Sequence, residues 1–179
     1  MYSKQQDTIS LHYSQAKKIL VMNQKGGVGK STCAAALISH LIHLGYNVEV
    51  IDFDRQRSCH DWAKEVLPGR SLPYNPSLRS LSNIATTLKV KRDTDFVVID
   101  SGILSSRKVA LAFVLNRCFV YDDRVERTHQ LLQHFRQYPT LGKISEDTQY
   151  QEAFFYKQAI PATVDPQLWR QVIGWLQKQ

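Results

Sequence analysis

Residues 25–32 read Lys-Gly-Gly-Val-Gly-Lys-Ser-Thr, and the chemistry of the chain is concentrated in this octet. Gly26, Gly27 and Gly29 allow successive backbone N–H groups to turn inward around an anion. The apolar run Ile19–Met22 precedes the loop and the helix-forming run Cys33–Ile38 follows it. A glycine loop between a strand and a helix N-terminus is a phosphate site, and the helix dipole adds to its attraction for the anion. In such a loop Lys30 reaches the terminal phosphates, and the Ser31 hydroxyl is suited to Mg²⁺.

The elements around the loop are those such a site needs. Leu37, Leu41, Ile42 and Leu44 continue an apolar helical face up to Gly45, a natural stop. Val48–Ile51 reads as a short strand ending in Asp52-Phe53-Asp54, Ser80–Leu88 as a helix, and Phe96–Ile99 as a continuous apolar strand ending in Asp100. This alternation predicts an α/β fold with a doubly wound, mostly parallel sheet and helices on both faces. Ligands of such sheets sit at the carboxyl ends of the strands, which brings Asp54 and Asp100 beside the loop. Residues 1–17 carry no sustained period and read as a flexible N-terminal arm, leaving 18–179 as one domain.

The pattern departs from the ordinary phosphate loop, because Gln24 stands where the first glycine belongs and Lys25 is an extra lysine. In this the octet resembles the deviant Walker A motif of the ParA/MinD family of ATPases. The resemblance implies a P-loop ATPase that binds Mg²⁺–ATP through Lys25, Gly26, Gly27, Val28, Gly29, Lys30, Ser31 and Thr32. Family members form a sandwich dimer in which the extra lysine reaches the partner subunit's nucleotide, a role that falls to Lys25. Asp52-Phe53-Asp54-Arg55-Gln56 resembles the family's D-x-D-P-Q motif, whose second aspartate places the attacking water and the Mg²⁺ shell. Asp54 takes that role, so the implied catalytic set is Lys25, Lys30 and Asp54. Phe96–Asp100 resembles a Walker B strand, which makes Ser31, Asp54 and Asp100 the implied metal set. Ala112–Arg117 resembles the family's later strand ending in Leu-Asn-Arg, which assigns Asn116 and Arg117 to the adenine. Gly142–Ser145 with Gln151–Ala153 is similar to its tail, where a strand leads to a helix under the nucleotide.

Composition bounds the remaining possibilities. The chain has 179 residues, 43% of them hydrophobic and 22% charged, the balance of a globular protein with a real core. No apolar stretch approaches the ~18 residues of a membrane span, and the polar start has no signal-like segment, so a cytoplasmic protein is expected. Cys33, Cys59 and Cys118 are odd in number and far apart, which predicts reduced, packed thiols rather than a disulfide, zinc or iron–sulfur site. The formal net charge of +7 favours a polyanionic partner, DNA or an anionic membrane surface. His40 and His43 lack a completing acid and read as surface residues. Phe154, Phe155 and Tyr156 read as core, and Leu168–Leu176 as a last helix packed on the sheet rather than a membrane anchor.

Two departures qualify the resemblance. Arg55 replaces the motif's proline, Arg57 stands where glycine is common, and Ser101-Gly102-Ile103 follows Asp100 in place of Thr-Pro-Pro. The stretch from Asp100 to the strand near Ala110 is also too short for a parallel crossover, so a strand and long helix usual in the family are missing. The resemblance implies a ParA-like partition ATPase that forms a homodimer with ATP, binds DNA without sequence preference and answers to a ParB-type partner, nucleoid-associated in the cytoplasm. The alternatives are a MinD-like membrane-surface positioning ATPase, and a shortened nucleotide-binding regulatory module without turnover.

Overall fold

The computed structural model describes residues 16–23, 27, 29–72, 90–101, 110–119, 122–135 and 137–179. The apolar runs form the expected strands β1 (Lys17–Met22), β2 (Val48–Asp52) and β4 (Phe96–Ser101), and a two-residue strand with no such run, β3 (Ser71–Leu72), joins them. They make an all-parallel sheet in the order β1-β4-β2-β3. Every residue of β2 is buried, as a central parallel strand covered on both faces requires. Of its two carboxylates, Glu49 is held by the Lys91 N–H at 2.6 Å and the Thr94 hydroxyl at 2.8 Å, so it is not left as an unsatisfied buried group.

Helix α1 (Lys30–His43) lies over this sheet on Ala34, Ala35, Ala36, Leu37, Ile38 and Leu41. The three alanines add no side-chain bulk, which lets the helix approach β1, β2 and β4 closely. It ends where Gly45 takes a left-handed backbone, φ 85°. Helix α2 (Ser58–Val66) follows β2 and buries Trp62, whose indole N–H donates to the Gln158 carbonyl at 2.8 Å and whose ring stacks on Phe154.

The second half has its own parallel pair, β5 (Phe113–Cys118) and β6 (Thr140–Ser145), with helices α3 (Asp123–Leu132), α4 (Thr148–Phe155) and α5 (Pro166–Gln177). Asp122 and Asp147 cap α3 and α4, accepting from the second helical N–H at 2.9 Å and 2.8 Å. Helix α5 buries Leu168, Trp169, Val172 and Ile173 against α1 and β6, so the expectation of a packed last helix is met. One apolar core runs through α1, α2, α4, α5 and both sheets.

The short crossover has a visible consequence. Among the described residues β1 pairs only with β4 and β5 only with β6, so the parallel sheet is interrupted rather than merely smaller. A groove of about 390 Å³ separates the two pieces, walled by β1 on one side and by Leu111, Val114 and Leu141 on the other. The expected helix at 80–88 and the connection at 103–109 lie outside the described residues.

Two expectations are corrected. His40 is buried, not a surface residue, because Trp169 of α5 stacks on it with ring centres 5.3 Å apart. Phe155 and Tyr156 are exposed, since α4 turns only Tyr150, Ala153 and, in part, Phe154 inward before it ends.

Candidate functional site

Gly29 is the hinge between loop and helix. It caps α1 in a left-handed conformation, φ 79°, and a side chain there would also meet Asn116, whose Nδ2 lies 2.6 Å from the Cβ position. The backbone conformation favours glycine, and any side chain would also have to displace the Asn116 amide. Gly27 shares the positive φ, at 73°. Helix α1 therefore begins at Lys30 with its first N–H groups facing the loop.

Around this terminus the structure brings together Lys30, Ser31, Asp54 and Asp100. The Lys30 ammonium bonds the Asp100 carboxylate and stands 3.6 Å from Asp54 Oδ2, while the Ser31 hydroxyl donates to Asp100 Oδ2 at 2.7 Å. Asp100 reaches this point because β4 carries it to the carboxyl end of the sheet, opposite Val21 of β1 and Asp52 of β2. It is fully buried, whereas Asp54 is about a third exposed. The burial of Asp100 is sustained by its two partners.

Asp52 has a different task from Asp54. Its buried carboxylate accepts from the Asp54 N–H at 2.8 Å and from the His60 N–H at 2.9 Å, pinning the turn and the start of α2. Burial pushes its proton affinity above the usual carboxylate range, with the two N–H donors opposing that shift. Arg57, at the N-cap of α2, adopts φ 56°, the left-handed region in which glycine is at home. This is a local cost at the position where the sequence departs from glycine.

A cleft of about 280 Å³ opens beside the loop, lined on one side by Gly27, Gly29, Thr32 and Cys33 and on the other by Asn116, Arg117 and residues 144–147, 150 and 151. Asn116 and Arg117 thus line the cleft wall that faces Gly27 and Gly29. Asn116 Oδ1 accepts from the Arg117 N–H at 2.8 Å, which directs its Nδ2 toward Gly29. Arg117, at φ 56°, forks onto Glu146 at 3.1 and 3.2 Å. Burial pushes the Cys33 thiol up to about 12, so it lines the cleft as a neutral apolar group.

Lys25, Gly26 and Val28 lie outside the described residues. The sequence reading did not single out Glu146, Asp147 and Tyr150 as cleft residues. The Asp147-Thr148 cap before an apolar helix was the available signal. Among the described residues no group of three His, Cys, Asp or Glu side chains could hold a metal unaided. The oxygen donors of Ser31, Asp54 and Asp100 nonetheless fit Mg²⁺, which takes one or two carboxylates and completes its shell with phosphate and water.

Residues 19–160 match the family described as the CobQ/CobB/MinD/ParA nucleotide binding domain. The chain is similar to Protein ParA of Rhizobium radiobacter, 35% identical over 99 residues, which cover 52% of this chain and 42% of the relative. A shorter stretch of 37 residues is 54% identical to the cytosolic Fe-S cluster assembly factor NUBP2 homolog of Dictyostelium discoideum, covering 21% of this chain and 14% of that protein. The matches thus span less than half the length of either relative. No helix among the described residues is long and apolar enough to cross a membrane.

Proposed function

The chain belongs to the CobQ/CobB/MinD/ParA nucleotide-binding domain family, and on that premise we propose that it is a ParA-like ATPase that binds and hydrolyses Mg²⁺–ATP. The observation that carries the proposal is the convergence of Lys30, Ser31, Asp54 and Asp100 at the N-terminus of α1, beside a cleft of nucleotide-base size. Lys30 exchanges its carboxylate partners for the phosphate oxygens, and the backbone N–H groups of the loop hold the same anion. Ser31, Asp54 and Asp100 would hold Mg²⁺, which neutralises phosphate charge. Asp54 remains accessible enough to orient the attacking water, while Asp52 fixes its backbone. Lys25 reaches across a nucleotide-dependent homodimer to stabilise charge in the transition state. Asn116 and Arg117 bound the adenine.

In this reading the ATP-bound dimer holds DNA without sequence preference through its excess of Lys and Arg, and hydrolysis releases it. The setting is plasmid or chromosome partition in the cytoplasm, with a ParB-type DNA-bound partner. A MinD-like membrane role is disfavoured because the apolar face of α5 is already buried. The interrupted sheet favours one second reading, a shortened module that binds nucleotide without turnover.

The decisive experiment measures ATP turnover with and without DNA, together with mass in solution with ATP and with ADP. Lys30→Ala should weaken nucleotide binding by about 2–4 kcal/mol. Lys25→Ala should retain binding but lose turnover and the ATP-dependent dimer. Unchanged ATP affinity in Lys30→Ala refutes the phosphate-loop reading. Binding without turnover or dimerisation in the wild type would instead establish the shortened module.

A further inference from the structure

Asp165 stands at the N-cap of α5, where an aspartate ordinarily turns its carboxylate onto its own helix. Here it makes no such bond. It also holds a left-handed backbone, φ 48° and ψ 47°, immediately before Pro166, a combination that side chains and a following proline both disfavour. The carboxylate is directed elsewhere. Asp165 Oδ2 accepts from the Ser145 N–H at 2.8 Å, the Ser145 hydroxyl at 3.0 Å and the Tyr150 hydroxyl at 2.8 Å. A backbone outlier that gives up a local cap for distant contacts points to a functional constraint.

The proton directions in this cluster follow from its members. The Trp169 indole N–H can only donate, and it does so to the Tyr150 oxygen at 3.0 Å, so the Tyr150 proton goes to Asp165. The carboxylate only accepts, so the Ser145 hydroxyl proton goes to Asp165 as well. Both Ser145 and Tyr150 line the cleft. With its proton committed, the Ser145 oxygen has only lone pairs left for a ligand.

We propose that Asp165 is a positioning residue that makes Ser145 an acceptor-only wall of the cleft and thereby selects adenine over guanine. The adenine 6-amino group donates, whereas the guanine 6-oxo group accepts and would face a second acceptor. Asn116 does not supply this discrimination, because an amide N–H₂ suits N7 of either purine. The two cleft carboxylates do not reverse it. Glu146 is bound by Arg117, and Asp147 is occupied at the cap of α4 by the Gln149 N–H. The inference rests on the nucleotide reading above.

The test compares binding of fluorescently labelled ATP and GTP to the full chain. The wild type should favour ATP by about tenfold or more, the value of one hydrogen bond gained against one acceptor left unpaired. Ser145→Ala should bring the ratio to within about threefold by weakening ATP more than GTP, and Asp165→Ala, which removes the acceptor of the hydroxyl proton, should do the same by releasing the hydroxyl to rotate. A merely structural Asp165 would weaken both nucleotides equally and leave the ratio unchanged, which overturns the proposal. If Asp165→Ala does not fold, Ser145→Ala decides alone. Equal binding of ATP and GTP by the wild type overturns this inference but not the nucleotide reading. Binding of neither overturns both.

Discussion

Replacing Gly29 by alanine perturbs the site in two separable ways. The first is conformational: at φ 79° an L-residue is in the left-handed region, which costs about 1–2 kcal/mol, partly offset by the ~0.4–1 kcal/mol that alanine gains by restricting the unfolded chain. The second is a collision. The new Cβ lies 2.6 Å from Asn116 Nδ2, so the amide must swing away and release the bond its Oδ1 accepts from the Arg117 N–H, worth about 1 kcal/mol. Together they amount to about 2 kcal/mol, or a fall of about 4–8 °C in the thermal midpoint of a chain this size. The assay is thermal unfolding without nucleotide, because a ligand bound to the native state would conceal the change. In an Asn116→Ala background the collision has no object, and Gly29→Ala should cost only about 1 kcal/mol, the backbone part. A wild-type midpoint in Gly29→Ala, or an equal penalty with and without Asn116, would refute the proposed approach of Asn116 over the helix terminus.

Two further outcomes are expected. Asp54→Ala should keep nucleotide bound while turnover falls by at least about a hundredfold, since water placement acts on the chemical step rather than on ground-state affinity; single-turnover hydrolysis tests this, and wild-type rates would remove Asp54 from the mechanism. Burial under Trp169 holds the His40 imidazole below its ordinary range, so below pH ~6.5 the unfolded chain takes up a proton that the native state resists. Stability from this residue is therefore complete above that pH and is lost as the pH falls through the depressed native value. Urea midpoints at pH 7.5 and 5.5 should differ less in His40→Phe, which keeps the ring stack, and an unaltered difference would clear His40 of the effect.

The central elements were legible because their signals are local. A glycine loop between an apolar run and a helix-forming run describes its own geometry, and the apolar strands ending in Asp52 and Asp100 needed only the rule that parallel sheets gather ligands at their carboxyl ends. Arg57 was readable as a departure, and its left-handed backbone gives the physical reason glycine suits that place. What escaped was long-range. His40 and His43 share one helix with similar local surroundings, and only the arrival of Trp169 buries the first and leaves the second exposed. Phe154, Phe155 and Tyr156 are alike in type, and of the three only Phe154 packs against the core. Asp165 could be read as a helix cap, but its actual partners, Ser145 and Tyr150, lie 20 and 15 residues away. The short stretch after Asp100 was visible as a missing crossover, yet its result, an interruption between β1 and β5, required three-dimensional packing to appear.

That interruption changes what it means to fill the cleft. The four-strand sheet supplies Lys30, Ser31, Asp54 and Asp100 around its carboxyl end, and the two-strand pair supplies Asn116, Arg117 and Ser145, with no described strand ladder joining the two. They are tied by side-chain packing through α1 and α5 instead. Side-chain contacts yield more gradually to shear than a row of backbone hydrogen bonds. A molecule lodged in the cleft that both pieces line would therefore act as mortar, adding stiffness at the joint where the chain's own backbone contributes least.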